Sequence, residues 1–141
     1  MATIMDDESA QHAADEVRTG ADGARYAAVH ARLTAERDAV NARIEALDAD
    51  YQAIVEANAL VAVDDEHDPE GQSTAFERAH VASLLTLSRD QLEKLEAALE
   101  RLAADDYGRC AECGRDIPVE RLEIRPEATR CVRCAAAPRR R

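Results

Sequence analysis

The sequence predicts a mainly α-helical chain: a long antiparallel helical hairpin, or coiled coil, followed by a small C-terminal module built on four cysteines. Three observations predict it. Apolar residues recur at alternating spacings of four and three over two long runs. A short stretch holding both proline and glycine separates the runs, and the cysteines form two C-x-x-C pairs beyond the second. The composition explains why such a plan is needed. With three Tyr, one Phe and no Trp in 141 residues, few large side chains are available to anchor a globular core. Burial has to come from long, repetitive helix contacts or from a metal.

Residues 1–23 are rich in Ala, Asp, Glu and Gly without sustained periodicity, and are expected to be an acidic, disordered or frayed segment. The hairpin is expected over 24–106. In its first arm, 24–60, the positions Leu33, Arg37, Val40, Ile44, Leu47, Tyr51, Ile54 and Asn58 follow a coiled-coil seam. Arg37 and Asn58 are polar members of that seam, where a long stem packs while its head reaches water, or where register is fixed. The second arm covers about 74–106, with Val81, Leu85, Ser88, Leu92, Leu95, Leu99 and Leu102 at the same spacing and Leu84 and Leu87 on a flanking stripe. Thr74 and Glu77 have the spacing of a capping box at its start, and Gly108 is a candidate C-terminal stop. Between the arms, Asp64-Asp65-Glu66-His67-Asp68-Pro69-Glu70-Gly71-Gln72-Ser73 reads as a turn, giving an acidic tip near 64–72. Arms of this length reach roughly 45–55 Å.

The module at 107–137 reads Cys110-Ala111-Glu112-Cys113 and Cys131-Val132-Arg133-Cys134. Each pair makes a tight knuckle presenting two thiolates, and two knuckles complete a tetrahedron around one Zn2+. Four thiolates leave no position open for water, so the expected role of the ion is structural. Ile117, Val119, Leu122 and Ile124 are the sizeable apolar groups between the pairs. So small a core does not order the segment alone, whereas structural zinc contributes about 10–16 kcal/mol in zinc-finger peptides. His12, His30, His67 and His80 are distant in the chain and not needed as ligands. Residues 138–141 form a basic tail.

The formal net charge of −11 is unevenly placed: residues 1–105 carry 23 acids against 9 bases, and residues 106–141 carry 6 against 9. An acidic body argues against wrapping nucleic acid, which requires clustered Lys and Arg, so direct sequence-specific DNA binding is not expected. No apolar run approaches the ~18–20 residues of a membrane span. The opening Met1-Ala2-Thr3-Ile4-Met5-Asp6-Asp7-Glu8 lacks the pattern of a secretion signal. A cytoplasmic location is expected, where paired cysteines hold metal rather than form disulfides. With a closed metal site and no nucleophile–base set, no enzymatic activity is expected.

Asp106-Tyr107-Gly108-Arg109-Cys110-Ala111-Glu112-Cys113-Gly114, followed by Ile117, Arg121-Leu122, Arg125-Pro126-Glu127-Ala128 and Cys131-Val132-Arg133-Cys134, resembles the DksA/TraR C4-type zinc-finger signature. The acidic-tipped hairpin agrees with that family in architecture. The resemblance implies a transcription regulator that binds RNA polymerase, inserting its hairpin into the secondary channel while the zinc end stays at the rim. It further implies that the tip acids, here Asp65 and Asp68, sit near the active site. The tip departs from the family's Asp-x-x-Asp-x-Ala pattern, since Glu70 stands where the family has Ala and Pro69 precedes it. Some members hold the alarmone ppGpp at the polymerase interface; Lys94 and Arg125 match two basic positions used there, and Ala135 stands at a third. These two are candidate alarmone or rim contacts. The alternative function is a zinc-containing coiled-coil adaptor or dimerisation protein that does not act on the polymerase.

Overall fold

The computed structural model describes the backbone of residues 7–60 and 69–138, with side chains from 23 to 60 and from 71 to 138. Four helices follow in order: α1 (Asp7–Leu60), α2 (Pro69–Ala103), α3 (Val119–Ile124) and α4 (Val132–Ala136). The first two pack on each other along the hairpin, and the two short ones belong to the C-terminal head. With 35 residues, α2 is about 52 Å long. No helix among the described residues is long and apolar enough to cross a membrane.

The heptad positions of α1 are the ones shielded from water. Leu33 and Val40 are buried, and Arg37, Ile44, Leu47, Tyr51, Ile54 and Asn58 are half-buried. Arg37 packs its stem on the seam while its guanidinium pairs with Asp38 at 2.9 Å. On α2, Leu85, Ser88 and Leu95 are buried, with Val81, Leu92, Leu99 and Leu102 half-buried. Leu33, Val40, Leu95 and Ala98 form the main core, flanked by Val29, Ile44, Leu92, Leu99, Leu102 and Tyr107. This cluster lies toward the base of the hairpin, next to the head. Ala98 was not among the seam positions read from the heptads, yet it is fully buried. Across the hairpin Arg89 meets Asp48 at 3.1 Å, but both side chains are about half exposed, so the pair contributes little.

The helix ends differ from the sequence reading. Helix α1 starts at Asp7 rather than near residue 24. Residues 7–23 contain no proline and several Ala, whose helix propensity does not depend on an apolar stripe. Pro69, read as part of the turn, is the first residue of α2, where its fixed φ suits a helix start and its missing N–H costs nothing. Gly71, Thr74 and Glu77 therefore lie inside α2, and the capping box read at Thr74 is not the helix start. At the other end the stop is Asp105, not Gly108. Asp105 has φ +56, its N–H bonds to Leu102 O at 3.4 Å, and the N–H of Asp106 bonds to Arg101 O at 2.9 Å. Those two bonds and the left-handed residue make a Schellman cap with aspartate where glycine is usual.

Two predictions follow from burial and from this cap. Leu95→Ala should cost about 2–5 kcal/mol, whereas Ile124→Ala, at a side chain 79% exposed, should stay within about 0.5 kcal/mol in urea denaturation. Asp105→Gly removes both the left-handed strain and an acid at a helix C-terminus, and should raise the melting temperature; Asp105→Val should cost about 1–2 kcal/mol.

Candidate metal centre and the head around it

Helix α2 hands over to the head through Tyr107 and Gly108. Gly108 adopts φ +83, and its carbonyl accepts from the N–H of Ile117 at 2.7 Å. Arg109 and Asp116 pair as an antiparallel bridge, and the N–H of Cys110 donates to Arg115 O at 2.8 Å. The first knuckle is the loop of this miniature hairpin. It closes where the Gly114 N–H donates to Cys110 O at 2.9 Å, with Gly114 at φ +70, a conformation that explains glycine directly after the second cysteine. The second knuckle is built differently. Cys131 precedes α4 in extended conformation and Cys134 lies within that helix, so a single helical turn sets their spacing. The N–H of Ala111 donates to Thr129 O at 2.8 Å, and Arg130 pairs with Glu112 at 3.1 Å, drawing the two knuckles together.

The four sulfurs of Cys110, Cys113, Cys131 and Cys134 all lie within 4.8 Å of one another, with Cys113 Sγ and Cys131 Sγ 3.9 Å apart. A tetrahedral zinc with Zn–S of ~2.3 Å needs sulfurs about 3.8 Å apart. The donor set and its geometry therefore fit one structural zinc ion held by four cysteines. The backbone is arranged for thiolate. N–H groups of Cys113 and Cys131 aimed at Cys110 Sγ hold that thiol down at about 6, and the Cys131 N–H lies 3.4 Å from it. Cys131 is lowered in the same way by the Cys134 N–H, while hydrogen bonding to the Cys131 sulfur, together with burial, pushes Cys134 up to about 12. A divalent cation removes that conflict, because it favours four thiolates at once.

Around the cage the core is smaller than the sequence suggested. Ile117 is buried, Val119 and Leu122 are half-buried, and Ile124 is exposed. Pro126 takes the buried place instead, and the Tyr107 hydroxyl donates to its carbonyl at 2.8 Å. Burial raises the Tyr107 phenol above its ordinary 10.0, against the pull of Arg101 and Arg32. Being raised, the phenol contributes stability that is fully present below its ordinary value and lost as pH climbs through the folded one.

The other residues singled out are placed as follows. Lys94 and Arg125 are both exposed, Lys94 on α2 and Arg125 just after α3. Lys94 forms no ion pair among the described residues. Asp65 and Asp68 lie outside the described residues. Arg32 and Tyr107 carry contacts at the join between head and hairpin. Each makes a contact far along the chain, with Glu123 and Pro126 respectively, that no local pattern announces.

Replacing Cys113 with Ser should reduce bound zinc from one ion per chain to nearly none, by metal analysis of the purified protein. Far-UV circular dichroism should retain most of its helical signal, because α1 and α2 pack on each other without the head.

Residues 105–139 match the family model for the prokaryotic dksA/traR C4-type zinc finger. The chain is 46% identical over 46 residues to the RNA polymerase-binding transcription factor DksA of Haemophilus influenzae, covering 33% of this chain and 32% of that protein. It is 39% identical over 46 residues to the protein of the same name from Escherichia coli strain K12, covering 33% of this chain and 30% of that one. The matched stretch thus spans about a third of these curated relatives. Similarity of fold reaches further: transcription factor DksA2 of Pseudomonas aeruginosa superposes with a TM-score of 0.70 at 29% identity, over 84% of this chain and 85% of that one. The resemblance read from the sequence holds at both levels, and the chain carries a dksA/traR C4-type zinc finger at the base of a DksA-like helical hairpin.

Proposed function

We propose that this protein is a cytoplasmic transcription regulator that binds RNA polymerase directly, its hairpin entering the secondary channel and its zinc head resting at the rim. The observation that carries this reading is the likeness to DksA2 over 84% of the chain, hairpin and head together. The physical design supports it. A rod about 52 Å long provides reach, and Asp65 and Asp68 fall in the sequence between the end of α1 and the start of α2. A carboxylate cluster suits a basic cavity that contains metal ions. The protein would perform no chemistry. It would bias polymerase conformations, and a tenfold change in the lifetime of an initiation complex needs only about 1.4 kcal/mol of differential affinity. Lys94 and Arg125, both exposed cations near the head end of the chain's path, are the proposed rim or alarmone contacts.

A photocrosslinker at His67 should mark the secondary-channel side of purified RNA polymerase. Crosslinks only elsewhere, from well-folded protein, would sink the reading. Asp65→Asn combined with Asp68→Asn should weaken regulation roughly tenfold in transcription assays without loss of helicity. Undiminished regulation by that variant would remove the tip acids from the mechanism.

One observation favours the second reading, an adaptor or dimerisation protein. Phe76 and Leu87 on α2 are 74% and 64% exposed, and Leu87 borders a groove along the hairpin side with Leu84, Val40 and Leu47. Light scattering decides this point: a dimer at micromolar concentration that dissociates on Leu87→Glu would favour it.

A further inference from the structure

The joint between hairpin and head is held in an unusual way. Helices α1 and α2 pack on each other, whereas the backbones of α3 and α4 stay apart from both. Between the two parts lies a cleft of about 480 Å³, bordered by Tyr26 and Val29 of α1 and by Ile117, Val119 and Leu122 of the head. Apolar packing therefore fills the joint incompletely.

Polar side chains cross it instead, and they converge. Arg32 of α1 donates through Nη1 to the carbonyl of Glu123. Tyr107 donates through its hydroxyl to the carbonyl of Pro126 at 2.8 Å. Arg101 of α2 reaches the carbonyl of Glu127 through Nη2, at a longer 3.5 Å. Arg32 and Arg101 lie on the hairpin helices, Tyr107 follows α2 and packs against the hairpin core, and all three acceptors are main-chain carbonyls of the stretch 123–127. Glu123 lies in the last turn of α3, where carbonyls lack an intrahelical partner and a cation is favoured. Arg32 is also braced from its own helix by Glu36, at 3.0 Å through Nε. The turn is in turn tied to the metal cage, since Arg121 Nε donates to Arg130 O at 3.0 Å and the next residue is Cys131.

We propose that Arg32, Tyr107 and Arg101 form a latch that fixes the angle between the zinc head and the hairpin, so that both can engage one partner at once. They are positioning residues: none need touch the partner. The second half of the proposal rests on the polymerase reading above; the first does not. A head held at a fixed angle presents the second contact at high effective concentration, whereas a swinging head spends most of its time misaligned.

Nitroxide labels on a genetically encoded ketone amino acid at Glu56 and Val132, both exposed, report the angle by pulsed electron paramagnetic resonance in the zinc-loaded full chain. The unsubstituted latch should give one narrow distance distribution. Arg32→Met with Tyr107→Phe should roughly double its width, with zinc content and helicity unchanged, and Arg32→Lys alone should stay near the narrow form. An unchanged width, also after adding Arg101→Met, overturns the latch. Loss of zinc or helicity in Tyr107→Phe alone overturns it too, by making that residue part of the head's folding. Affinity for RNA polymerase should fall about tenfold in the double variant. Equal affinity despite a widened distribution overturns the role in binding, and failure of the unsubstituted protein to bind polymerase overturns that reading while leaving the latch standing.

Discussion

The seam between α1 and α2 is the constraint on which the remainder depends. Each arm carries a narrow stripe of leucine, valine and isoleucine with no other surface to cover it, and each is too polar elsewhere to bury a second face. An isolated helix of such composition is marginal in water, so the arms are stable only against one another. Their core is concentrated at Leu33, Val40, Leu95 and Ala98, near the base. That placement matters for the head, because Arg32 and Arg101 stand beside these residues in the chain and inherit their fixed positions. A hairpin secured mainly toward its far end would give the head no firm foundation.

The zinc module solves a different problem. Its own buried apolar residues are few, Ile117 and Pro126 with half-buried Val119 and Leu122, and α3 and α4 are too short to stand alone. The four thiolates supply what the core lacks, and the backbone N–H groups aimed at Cys110 prepare the site for charge before a cation neutralises it. Hairpin and head are thus stabilised by unlike forces, apolar burial in one and coordination in the other. Their join is a third kind, hydrogen bonds from long side chains to carbonyls. The joint is thus bridged by a handful of named groups, Arg32, Arg101 and Tyr107.

Much of this was legible in the sequence, and the reasons are specific. Every heptad position read on α1 from Leu33 to Asn58 is shielded, because a seam depends only on spacing along one helix. The cysteine cage was legible because two knuckles need fixed local spacing. Readings at boundaries fared worse. Pro69 and Gly71 look like a turn, yet a proline at the first helical position is compatible with helix, and the next turn tolerates the glycine. Gly108 looked like a stop, but the chain had already turned at Asp105, and Gly108 serves the bond to Ile117. Ile124 looked like core, but α3 is one turn and a half long and presents that side to water while Pro126 fills the space. The contacts of Arg32 and Tyr107 had no local signature at all. They depend on where the folded head comes to rest.

The uneven charge gains a physical meaning from this arrangement. The acidic excess belongs to residues 1–105, and residues 106–141 carry more bases than acids; in the head, Arg121 and Arg130 are used on the Arg130 carbonyl and on Glu112. Charges spent on internal hydrogen bonds steer an approaching partner less than free ones do, so the head's field is weaker than its count of arginines suggests. Among the described residues the acids of the arms are mostly exposed, with Glu36, Asp38 and Asp48 paired to arginines. A partner with a basic cavity would therefore attract the acidic hairpin ahead of the head. On the proposed polymerase reading, long-range attraction would select the orientation, and a latched joint would convert that orientation into a second contact.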